Sequence, residues 1–197
     1  MKNNLNIVNL GIFLCSTIII TFLIIDMSSC NNALPKNQEV VINQKQNSDL
    51  KIKTMDSQFL VEAAEINLEE IELGILAQKN TNTNVVNQLG KMMQDEHTQA
   101  LKMLQTMAIA KNIYLPTELS ANGEEANTKL MNLKNMDFNT PYCSMMVNGH
   151  KSAIEKFEKI STQSTDSDIK VWAASLIPTL QTHLTHAINC QKQCEKM

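Results

Sequence analysis

Four ionisable residues interrupt otherwise apolar helical stripes: Glu70, His97, His150 and His183. Glu70 follows Ile66 by four residues and precedes Leu73 by three, His97 stands likewise between Met93 and Ala100, and His150 between Met146 and Ala153. His183 lies three after Leu180 and four before Ala187. These offsets hold a residue on one face of an α-helix, so each of four helices turns one polar group inward. Neutral imidazole is a good ligand for Zn, Cu, Fe or Ni, and ligand sets drawn from facing helices recur in bundles. Counted outward from the connecting turns at about 1.5 Å per residue, His150 and His183 differ by only about 4–5 Å in height, whereas Glu70 is about 7–8 Å from the level of His97. The three histidines are therefore expected to converge, with Glu70 joining them less easily. A second reading stays open, in which they are core histidines bonded to Glu70, Tyr142 or one another, since buried polar groups are usually paired. His186 falls at the stripe edge and reads as a solvent-side neighbour.

Cysteines make the next constellation. Cys143 lies seven residues before His150 and Cys190 seven after His183, and a shift of seven keeps nearly the same helix face. On antiparallel helices both shifts run the same way, so Cys143 and Cys190 should face each other, with Cys194 one turn further on. In an oxidising compartment a Cys143–Cys190 disulfide is expected, with Cys194 as the alternative partner. A thiolate metal site using Cys190 and Cys194 is the rival. Other features are plainer. Glu62, Glu65, Glu69 and Glu72 form an acidic face, and the methionines (12 in all) fill a core more often than they bind copper. The residues three before the histidines are Gln94, Val147 and Leu180, so the Glu-x-x-His pairs of di-iron bundles are missing. That weighs against a ferritin-like metal oxidase or peroxide-handling enzyme. No nucleophile motif, phosphate loop or catalytic carboxylate pair is present.

The elements that would carry these residues follow from period-3.6 patterning. Four long helices are predicted at about 57–79, 84–111, 138–162 and 169–194, with a short helix near 124–133 inside the passage between the second and third. Pro178 falls within the fourth and is expected to kink it. Two hairpins joined by a long crossover describe an all-α, antiparallel four-helix bundle of ferritin-like form. The scarcity of aromatics (4%) agrees with helix packing rather than a sheet. Net charge is −3, there is no arginine and no basic block, which argues against nucleic acid as a partner.

The N-terminus reads as an address. Lys2 precedes an apolar run from Ile7 to Ile25, followed by Met27-Ser28-Ser29-Cys30. A positive start, an apolar segment and small residues before a cleavage point make a secretory signal, and a cysteine after two serines points to lipidation at Cys30. The alternative is an uncleaved anchor, since about 19 apolar residues just span a bilayer. Either way residues 1–30 tether the chain to a membrane. The Asn- and Gln-rich stretch 31–55 reads as a flexible linker, leaving 56–195 as the bundle.

The order Phe59…Ala63-Ala64…Glu70-Ile71-Glu72-Leu73-Gly74…Ala77, then Met93-Gln94-Asp95-Glu96-His97, then Phe138…Tyr142…His150…Phe157, then Leu176-Ile177-Pro178-Thr179-Leu180…His183 resembles the DUF4142 family. The resemblance covers about residues 56–190. It implies a ferritin-like helical bundle in the bacterial cell envelope, with Glu70, His97, Tyr142, His150, Pro178 and His183 at the family's characteristic positions. Glu96 stands where Asp is typical before the histidine, and Ile177 where Leu is common, and neither removes a ligand. The expected function is a non-enzymatic, membrane-anchored binding or envelope role, with a transition metal (Zn, Cu or Fe) held by the core histidines. A purely structural or stress-related envelope role is the other expectation, and the resemblance names no protein partner.

Overall fold

The computed structural model describes residues 36–197, with side chains from residue 54 onward. These residues form a helical bundle of five helices and no strand: α1 (Lys36–Asn80), α2 (Asn84–Ala110), α3 (Ala121–Met131), α4 (Asn135–Gln163) and α5 (Ser167–Cys194). The apolar run, Cys30 and the proposed cleavage point lie outside the described residues. No helix of the described residues is long and apolar enough to cross a membrane.

The sequence reading needs correction at three places. Residues 31–55 were expected as a flexible linker, yet α1 is helical from Lys36. Between residues 36 and 56 there is no Gly or Pro, and Lys, Gln, Glu and Leu are good helix formers. The missing apolar period removes a packing face without removing the helix. α3 starts at Ala121 rather than near 124, because the Ser120 hydroxyl caps it by accepting the Gly123 N–H at 3.3 Å. Asn122 and Gly123 look like breakers but occupy a first turn, where backbone N–H groups have no intrahelical partner. α4 starts at Asn135 rather than 138 and carries Pro141 as well as the expected Pro178 in α5.

Helix α1 packs closely against α2, and α4 against α5. Two glycines set the first contact. A Cβ on Gly74 would fall 2.6 Å from the Gly90 carbonyl oxygen, and one on Gly90 would fall 2.7 Å from the Gly74 oxygen and from Ala77 Cβ. Just past the α2 C-cap Lys111, Asn112 takes a φ of 55°, which asparagine tolerates, and the chain folds back through an Ile113 N–H to Ala108 O bond of 2.9 Å. Asn80, at the end of α1, pins the crossover by donating to the Leu130 and Met131 carbonyls and accepting from Lys134.

The core falls into two apolar clusters. One holds Leu73, Val86, Leu89, Met93, Phe138, Tyr142 and the three cysteines. The other gathers Leu60, Ala63 and Leu104 around the edge-to-face rings of Phe59, Phe157 and Trp172. Between them runs a layer of buried polar side chains: Asn67, Glu70, His97, His150 and His183.

Candidate metal centre

Each histidine of that layer is seated by apolar neighbours one turn away on its own helix. Met93 and Leu101 flank His97 on α2, Met146 and Ala153 flank His150 on α4, and Leu180 and Ala187 flank His183 on α5. The rings are nearly closed off from solvent, at 4%, 1% and 2% exposure. Their centroids form an almost equilateral triangle with sides of 5.7, 5.2 and 5.3 Å. One nitrogen from each lies within 4.8 Å of the other two. The convergence expected from spacing is what the helices produce.

Hydrogen bonds on the outer side of each ring decide where the protons sit. The Asn67 amide donates to the Ala63 carbonyl at 2.6 Å, so its oxygen faces His97 Nδ1 at 3.0 Å and accepts a proton from it. His150 Nδ1 is 2.8 Å from the Met146 carbonyl, which only accepts. His183 Nε2 is 2.9 Å from the Glu96 carboxylate. With these three protons placed outward, His97 Nε2, His150 Nε2 and His183 Nδ1 present lone pairs inward. His97 Nε2 has no hydrogen-bond partner. His150 Nε2 and His183 Nδ1 are 3.3 Å apart, and on these tautomers neither carries a proton to donate to the other. Metal-ligating histidines are oriented in this way, by a carbonyl, amide oxygen or carboxylate on the far nitrogen.

Burial also keeps the rings neutral. Desolvation, with the two neighbouring rings, holds His97 well below the usual histidine range. Burial pushes His150 down to about 4. His183 is lowered by burial, partly offset by its bond to Glu96. Three neutral imidazoles are a donor set suited to Zn, Cu, Fe or Ni.

Glu70 joins the layer but not the ligand set. Its Oε1 lies 3.7 Å from His150 Nδ1, behind the ring, and the His150 proton goes to the nearer Met146 oxygen. Burial, with Glu69 adding to it, raises Glu70 to about 8, so the contact joins two neutral groups and is no ion pair at pH 7. Gly149 makes the space, since a Cβ there would meet Glu70 Oε1 at 3.3 Å. Tyr142 is fully buried and stacks on Phe138, and its hydroxyl bonds to none of the histidines. The partners that the histidines do use, Asn67 and Glu96, were not foreseen. Asn67 and His97 stand equally far from Asn82 in the turn, a symmetry that marks them as level neighbours.

A cavity of about 330 Å³ opens onto the layer, lined by Asn67, Glu96, His97, Met103, Leu180 and His183 among others. Glu96 is half exposed at this side, so solvent reaches the layer from the α2–α5 face. The expected Cys143–Cys190 bridge is not formed. Cys143, Cys190 and Cys194 are buried free thiols. Spacing placed Cys143 near Cys190, but Cys194 turns into the same point: the three sulfurs lie within 4.8 Å of one another, and Cys143 Sγ is 4.0 Å from Cys194 Sγ.

Comparison with known proteins follows the same outline. A solved structure of a DUF305 fragment from Deinococcus radiodurans is similar in fold, with a TM-score of 0.63 at 11% identity, covering 71% of this chain and 96% of that one. No curated protein matches the chain. The family model for a domain of unknown function, DUF4142, matches residues 42–190, reaching into the stretch expected as linker. With that span and its helical fold, the chain belongs to the DUF4142 family.

Proposed function

We propose that the protein is a non-enzymatic metal-binding unit of the bacterial envelope, holding one divalent transition ion, zinc or copper, on His97, His150 and His183. The observation that carries this is the 3.3 Å contact between His150 Nε2 and His183 Nδ1, which the tautomers set by the Met146 carbonyl and the Glu96 carboxylate leave without a proton. Two lone pairs at that distance repel in an empty core. Around a tetrahedral ion with metal–nitrogen bonds of about 2.0–2.1 Å, the ligand nitrogens stand about 3.3–3.4 Å apart. The cavity on the α2–α5 face supplies a route for the ion and room for a fourth ligand.

The four long helices are read here as an antiparallel, ferritin-like bundle. Pairs such as Gly74 with Gly90, Asn67 with His97 and Cys143 with Cys194 support it, because residue numbers fall on one helix as they rise on its neighbour. Lipidation at Cys30 is the proposed tether, resting on the Ile7–Ile25 run and the small residues before the cysteine. Metabolic labelling with a tritiated fatty acid tests that part: label and membrane retention should both disappear in Cys30→Ala, and label that persists sinks it.

The metal reading is tested by titrating the purified full chain with zinc and with divalent copper, counting bound ion by elemental analysis. One ion per chain is expected, with binding weakened at least a hundredfold when His97, His150 and His183 are all changed to Gln. Because that variant can simply misfold, X-ray absorption of the unaltered, zinc-loaded chain provides the independent check. A shell of about three imidazole nitrogens supports the site, and a sulfur shell overturns it.

A further inference from the structure

Cys143, Cys190 and Cys194 are 0%, 0% and 3% exposed, inside the apolar cluster that also holds Phe138 and Tyr142. Cys143 on α4 and Cys190 on α5 are displaced two turns from His150 and His183, about 10 Å along the axis, and Cys194 one turn more, so they are a separate constellation. Their three sulfurs lie within 4.8 Å of one another, and Cys143 Sγ is 4.0 Å from Cys194 Sγ. A three-coordinate ion with metal–sulfur bonds of about 2.3 Å requires sulfurs about 4 Å apart, so the cluster needs little rearrangement to close on one.

We propose that Cys143, Cys190 and Cys194 form a second metal site, selective for a soft monovalent cation of the copper(I) class. Thiolates are soft donors and favour copper(I). Zinc completes a tetrahedron, and this cluster offers three sulfurs with no exposed face for a fourth ligand.

The test uses the full chain, reduced and kept free of oxygen, titrated with copper(I) supplied as its bicinchoninate complex. Transfer of one equivalent is expected, with near-ultraviolet sulfur-to-copper charge-transfer absorption. Each of Cys143→Ala, Cys190→Ala and Cys194→Ala should weaken binding at least tenfold, and the triple histidine variant should keep the absorption. X-ray absorption on the unaltered copper(I) protein removes the question of variant folding: three sulfurs at about 2.3 Å support the site. Nitrogen ligation of copper(I), absorption that survives all three cysteine changes, or a Cys143–Cys190 disulfide in freshly isolated protein overturns it.

Discussion

At the level of single residues, the polar layer opposes two titrations. The histidines have folded-state pKa values below the ordinary 6.5, so the unfolded chain takes up protons first as pH falls. Their stabilising share is complete above pH about 6.5 and declines below it; for His150, with a folded value of about 4, the full loss is about 3 kcal/mol. Glu70 behaves oppositely. Its value is raised from 4.5 to about 8, so its share is complete below pH about 4.5 and is lost as pH rises to about 8. Three histidines outweigh one carboxyl on the acid side, so metal-free protein should be most stable near pH 6–7. Urea midpoints measured from pH 4 to 9 check this: Glu70→Gln should flatten the decline above pH 6.5 and leave the acid decline in place. Spacing alone brought the three histidines to one face of each helix, because three- and four-residue offsets fix a helix face. It did not place Asn67 or Glu96, since what they do depends on the neighbouring helix rather than on their own stripe.

Among the elements, the α1–α2 contact leaves no room for a side chain at Gly74 or Gly90. Gly90→Ala sets a methyl 2.7 Å from a backbone oxygen and from Ala77 Cβ, and neither is a flexible chain end. Overpacking of this kind costs about 1–3 kcal/mol, partly offset by alanine's better helix propensity of about 1 kcal/mol. Thermal unfolding of Gly90→Ala should therefore show a lower midpoint, while Gly123→Ala, whose nearest neighbour is a leucine methyl at 3.2 Å, should be milder. Helix number and type were legible from periodicity, and α2, α4 and α5 were bounded to within about three residues. The start of α1 was not, because a helix without an apolar stripe leaves no periodic mark. The thiol cluster was legible as a facing pair, but its third member depends on how α5 ends.

For the whole molecule, the decisive feature is that the polar layer divides the core, with the cysteine-bearing cluster on one side and the Phe59–Phe157–Trp172 cluster on the other. The two clusters are joined through the continuous helices and through the layer's own hydrogen bonds, Asn67 to His97 and His183 to Glu96. Without an ion, each end has its own free energy of opening, and amide hydrogens at the two ends should exchange with solvent at distinct rates. The ion proposed for His97, His150 and His183 would tie α2, α4 and α5 together at that junction. The two exchange classes then merge into one, and the bundle opens as a single cooperative unit.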